Sequence, residues 1–273
     1  MKSIKLFLLS LLTVVLLSGC LQVDTKVNLN DDGSGTIEET VVMKSEVINM
    51  MKEFAMAFDS TKSEEFNMFK ESELKEKAAN YGEGVKYVSG EKVTLGKYEG
   101  FKAIYSFKDI NKIKINPSPD DKMPLGNEMM TKEEKPVDDV LKFDFKKGNP
   151  STLVIKFPKP EFKDDDDKEL ENNEIGDSTF NADAQQKIIE MFDGMKINVS
   201  LNFNRPIKET DASFVDGNKV TIMEADFSEI IKNKDILENL QKTKPETMEQ
   251  FKEVIGDLPG IKVEFKEQVT IKF

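Results

Sequence analysis

The sequence predicts an α+β fold, with a mainly antiparallel β-sheet and packed helices behind an N-terminal signal peptide. Three observations carry this expectation. Apolar and polar residues alternate in several segments, first in Val23, Thr25, Val27 and Leu29 against Asp24, Lys26, Asn28 and Asn30, which is the period of a half-buried strand. Helical spacing interrupts these segments, as in Val47, Met50, Met51, Phe54 and Phe58. Strands and helices mix without a regular βαβ rhythm, which favours antiparallel pairing. The chain has 273 residues, 33% of them charged, and its 19 Phe and 13 Met are enough to build a core.

The first element is a leader. Met1-Lys2-Ser3-Ile4-Lys5 is basic, and a twelve-residue apolar run follows from Leu6 to Leu17. That run is too short for a stable transmembrane helix, which needs about 20 residues. It ends at Leu17-Ser18-Gly19-Cys20, which resembles the lipobox of bacterial lipoproteins, where small residues admit the signal peptidase and the Cys thiol is acylated. The expected cleavage lies between Gly19 and Cys20: residues 1–19 are the signal peptide, 20–22 the lipidated N-terminus, and 23–273 a single α+β domain. The alternative is an ordinary secretory leader with an unrelated Cys. Two acyl chains hold a protein at a membrane far more firmly than one, the physical case for diacylation with palmitate-like chains.

Strand chemistry starts at Val23, turns through Asn30-Asp31-Asp32-Gly33-Ser34-Gly35, whose residues tolerate positive φ, and resumes from Thr36 to Met43. Ser45 is a candidate N-cap for the helix bearing Met50, Met51, Phe54 and Phe58, and a second helical stretch carries Phe66, Phe69, Leu74 and Ala78. Strands are expected at Val85–Val88, Lys92–Leu95 and Phe101–Phe107, with Phe101, Ala103, Tyr105 and Phe107 on one face. A hairpin is expected around Gly148-Asn149-Pro150. Polar loops at about 116–138 and 158–179 flank it, the second holding Asp164 to Asp167. Asn181 can cap a helix bearing Ile188, Ile189 and Phe192. Further strands are expected at Ile197–Phe203, Ala212–Phe214, Val220–Met223, Val263–Phe265 and Val269–Phe273, with helices between Phe227 and Ile255.

Composition excludes whole classes of chemistry. There is no His, so no Ser-His-Asp triad, no Cys-His pair and no imidazole ligand, and the single Cys forms no internal disulfide or metal cluster. Loss of residues 1–19 removes Lys2 and Lys5 and leaves 37 basic against 51 acidic residues, a net charge of −14. Such a surface does not favour nucleic acid. Arg205 is the sole Arg, so bidentate clamps on carboxylate or phosphate are nearly unavailable.

The stretch Ile197 to Ile207, with Ala212-Ser213, Gly217-Asn218 and the strand after it, is similar to the pattern of LppM-like bacterial lipoproteins. So is the opening, where the lipobox leads straight into a strand and an Asp-Gly-Ser-Gly turn. The resemblance implies a membrane-anchored α+β domain of the cell envelope, associated with binding a lipid or another envelope component rather than with catalysis.

Other constellations are weaker. Asn28-x-Asn30-x-Asp32-Gly33 with Glu39 echoes a calcium loop, but its flanks alternate like strands rather than helices. Gly90 to Lys97 has five residues between its glycines where a phosphate loop has four. No catalytic residue, metal site or cofactor is expected. The resulting expectation is a non-enzymatic lipoprotein, extracytoplasmic and held at the cell membrane or outer membrane by acylated Cys20. Its domain binds a lipid or envelope protein through an apolar face at Met50, Met51, Phe54 and Phe58, which otherwise is core. The alternatives are a structural or assembly component of an envelope complex and, third, a carboxylate-dependent hydrolase.

Overall fold

The computed structural model describes residues 21–58, 67–117, 140–158, 194–228 and 247–273. Outside these lie the signal segment with Gly19 and Cys20, most of both polar loops, Asp164 to Asp167, the helix expected after Asn181, and most of the span expected to be helical after Phe227. The described residues are mostly β-sheet with a few short helices. They fall into two compact units.

The larger unit is built on a long sheet. β1 (Leu21–Leu29) and β2 (Gly35–Lys44) form an antiparallel hairpin. β4 (Tyr98–Phe107) pairs with β2 and with β3 (Lys86–Leu95), and β7 (Lys196–Phe203) lies on the other side of β1. The full order is β11-β10-β7-β1-β2-β4-β3, with β9 (Val215–Asp216) beside β10 (Lys219–Asp226) and β11 spanning Ile261–Val263. The β1–β7 pair is parallel, an exception to the antiparallel expectation. It is possible because the two strands are far apart in sequence and need no tight turn.

The alternation read from sequence becomes two faces. Val23, Val27, Ile37, Val41, Tyr105 and Leu201 are buried on one face. On the other, Asp24 takes a hydrogen bond from Asn198 at 2.6 Å and an ion pair from Lys26 at 2.6 Å, while Glu38 sits between Lys102 (3.1 Å) and Lys26 (3.8 Å). Asn202 and Asn28 continue this polar ladder.

A smaller sheet, in the order β5-β6-β12-β8, belongs to the same unit; its strands are β5 (Lys142–Lys146), β6 (Thr152–Lys156), β8 (Glu209–Thr210) and β12 (Gln268–Lys272). It is fastened at the β1–β2 turn end of the large sheet. The Phe145 ring leaves no room for a Cβ at Gly33, whose φ is +88°, and Phe203 meets Phe273 with ring centroids 4.6 Å apart.

In the smaller unit, α3 (Met248–Ile255) is capped by Thr247, whose hydroxyl accepts from the Gln250 amide at 3.2 Å. The Asp226 amide donates to Gly260 at 2.8 Å. Among the described residues no helix is long and apolar enough to cross a membrane.

Several expected elements differ. The strands expected at Val85–Val88 and Lys92–Leu95 are one strand, with a bulge at Tyr87/Ser89 and Gly90 paired to Ala103. The second helical stretch shortens to α2 (Glu71–Lys77) and a 3-10 turn at Ala78–Tyr81. Asn67 explains part of this: its side chain accepts the Phe69 amide at 3.1 Å, a local turn that competes with helix. The short strand expected at Ala212–Phe214 begins one residue past that span, as β9, and Ala212, Ser213 and Phe214 are loop. Glu264 draws Ser213 out of the ladder by accepting its amide at 2.7 Å and its hydroxyl at 2.9 Å.

Candidate binding cleft

The site begins where β2 passes into α1 (Ser45–Phe58). Ser45 does not serve simply as a cap. Its amide donates to Lys97 O at 2.9 Å, and its hydroxyl donates its one proton to the Glu99 carboxylate while lying 3.2 Å from the same Lys97 oxygen. These bonds fasten the helix start to the β3–β4 turn. Val47 and Ile48 are buried beneath the helix, while Met50 faces outward, 40% exposed. The side chains of Met51, Phe54 and Phe58 lie outside the described residues.

Between α1, the segment 67–69 and the adjoining ends of β3 and β4 lies a cleft of about 570 Å³, within the usual range for small-molecule sites. Ile48, Met68, Phe69 and Val93 give it apolar wall, and Lys52, Lys92 and Glu99 give it charge. The strand contribution is set by register: Lys92, Val93 and Thr94 stand opposite Phe101, Gly100 and Glu99. Gly100 is required at its place. A Cβ there would fall 2.0 Å from Val41 O, so any larger residue pushes β4 off β2. The arrangement suits an amphipathic ligand, with aliphatic surface against Met68 and Val93 and an anionic group near the lysines.

Beside the cleft, α2 is pinned to the sheet by a buried ion pair. Glu39, fully buried in the middle of β2, meets Lys77 Nζ at 2.7 Å. The Tyr81 phenol feels the charge of the same carboxylate, and the Tyr81 and Tyr105 rings lie 4.9 Å apart. Burial, and then the charge of Glu39, push both phenols well above the usual tyrosine range. Gly90 lets α2 approach: a Cβ there would meet the Tyr87 hydroxyl at 2.8 Å and Leu74 at 3.1 Å.

The calcium-like spacing is not brought together. Asp32 accepts the Ser34 amide at 3.0 Å and hydroxyl at 2.6 Å, bonds that hold its carboxyl below the ordinary range, while Glu39 belongs to Lys77. Among the described residues no three acidic or thiol groups are placed to hold a metal ion. Gly90 to Lys97 form the end of β3 and its turn, with no helix N-terminus after them. Lys52, Lys92 and Val93 went unread in sequence because the cleft joins α1 to β3 from distant parts of the chain, not by local spacing.

No family model matches the chain, and no curated protein matches it. Among solved structures it is similar to the folded domain of Mycobacterium tuberculosis LppM, determined by NMR, at 9% identity over 75% of this chain and 81% of that one, with a TM-score of 0.29. A likeness at this level assigns neither family nor activity.

Proposed function

We propose that the chain is a non-enzymatic envelope lipoprotein, anchored through acylated Cys20, whose domain holds an amphipathic ligand such as a lipid in the cleft beside α1. The observation that supports the anchor is the junction itself: Leu17-Ser18-Gly19-Cys20 leads directly into β1 at Leu21. Leu21 also stands where an aspartate marks inner-membrane retention in some two-membrane bacteria, which favours the outer membrane where one exists. In this reading α1 contributes Ile48 and Lys52, one helical turn apart, while Met50 faces outward and does not line the site, and the remaining apolar wall comes from Met68, Phe69 and Val93.

The test has two parts. Wild type incorporates labelled fatty acid, and Cys20→Ala accumulates as unprocessed precursor; processing without acylation would overturn the anchor. Native mass spectrometry of the purified chain, with released molecules identified after denaturation, should find a lipid that Lys52→Glu/Lys92→Glu loses. A clean apo mass in wild type would shift the weight to a second reading, assembly with a protein partner. That reading is favoured by β3, a ten-residue strand at the end of the described sheet with Val88 55% exposed, because such edges accept added strands. One stoichiometric partner after mild crosslinking would support it.

A further inference from the structure

The two ends of the large sheet differ, and chain connectivity says which one faces the anchor. β1 begins at Leu21, so Cys20 is one peptide unit away, about 3.8 Å between Cα atoms. Leu21 stands opposite Met43, and Met43 opposite Glu99. The next row outward joins Lys44 to Tyr98 and Tyr98 to Leu95. Leu95 therefore occupies the level that one further residue from Leu21 reaches, three strand spacings or about 14 Å across the sheet.

Leu95 is 53% exposed, with Lys97 exposed beside it in the β3–β4 turn. Gly96 between them has φ +62° and open space where a Cβ would stand. At the opposite end the small sheet and its aromatic contacts close over the β1–β2 turn. An exposed apolar residue in that half, Val215 (42%), lies on β9 near Asn218, whose carbonyl accepts the Phe203 amide at 2.9 Å. Leu21 and Leu29, the two ends of β1, are eight residues or about 26 Å apart.

A single exposed leucine means little alone. What gives Leu95 meaning is its level with the anchor. We propose that the β3–β4 turn, Leu95-Gly96-Lys97, seats the domain on the bilayer: Leu95 enters the lipid interface, and β1 runs away from the membrane. This inference rests on the anchor reading above. The acidic surface is not drawn to anionic headgroups, and one leucine does not hold a protein at a membrane. The acyl anchor supplies attachment and makes the second contact intramolecular, so a small apolar gain decides orientation. Lys97 is placed to keep its ammonium among the headgroups while Leu95 goes deeper. Val93 and Thr94 of the cleft lie one or two residues from that turn, so a ligand carrying an acyl chain would enter from the bilayer side.

The chain contains no Trp, so one introduced Trp reports one position. The full-length chain is purified from membranes and reconstituted into phosphatidylcholine–phosphatidylglycerol vesicles with or without brominated acyl chains. Leu95→Trp should lose about twofold or more of its emission to brominated lipid, as expected of Trp at the membrane interface, and Val215→Trp should be unchanged. Equal emission changes in the two variants, or none in either, while the protein floats with the vesicles would overturn the seating and leave the anchor standing. A chain that neither floats nor carries acyl mass would overturn both.

Discussion

Glu38 and Glu39 are neighbours on β2 that a pleat sends to opposite faces, and they live under different physics. Glu38 lies between Lys26 and Lys102 on a half-open polar face. Glu39 has no exposure and meets one ammonium, Lys77, beneath α2. The first carboxylate keeps water as an alternative partner, so losing a lysine costs it little. The second has given up its water, so its ion pair balances a desolvation penalty that returns in full when either partner is removed. Counting ion pairs therefore says little about what holds this sheet.

The largest effect comes from removing one buried charge. Glu39→Gln or Lys77→Met should each lower stability by about 3–5 kcal/mol in urea denaturation, while Glu39→Leu/Lys77→Met together should recover most of the loss. Additive losses in the double variant would show that packing, not charge, holds α2.

Next in size is an alkaline effect. Tyr81 and Tyr105 have raised folded values, so the fold keeps its full stability below the unfolded phenol value near about 10 and loses it as pH rises above that, by about 1.4 kcal/mol per pH unit for each phenol. Absorbance titration should find both phenols ionising only as the protein unfolds. All four tyrosines titrating in a still-folded chain would contradict this.

Gly90→Ala, on the same buried side, should cost about 1–3 kcal/mol, because its Cβ meets the ends of Tyr87, Leu74 and Phe69. Glu38→Gln should cost about 0–1 kcal/mol, and 1 M salt should erase the difference. A loss from Glu38→Gln as large as that from Glu39→Gln would dissolve the contrast between the faces.

Much of the sheet is legible in the sequence. Val23 to Leu29 alternates strictly and buries the expected face, Phe101, Ala103, Tyr105 and Phe107 share one buried face as expected, and Thr36 to Met43 is the expected strand, without strict alternation. The Gly148-Asn149-Pro150 hairpin was legible from its turn residues. What the sequence hid depends on distant partners. Gly90 reads locally as a break, yet pairs with Ala103 and admits α2. Glu39 reads as one more surface carboxylate until Lys77 arrives from a helix 38 residues later. The parallel partner of β1 carries no local mark, and the cleft residues Lys92 and Val93 look like any strand until the segment 67–69 folds back beside them.

That parallel pairing has a consequence for how the protein is made. β1 leads the described chain and lies inside the sheet, while β7, which completes its second edge, begins at Lys196. Synthesis delivers β1, β2, β3 and β4 long before β7, and pairings so distant in sequence form slowly because a long loop must close first. For that interval the open edge of β1 offers unpaired amides and carbonyls to any strand nearby. The nascent four-stranded sheet is thus the species most in need of a chaperone, and the arrival of Lys196 to Phe203 is the event that ends its exposure.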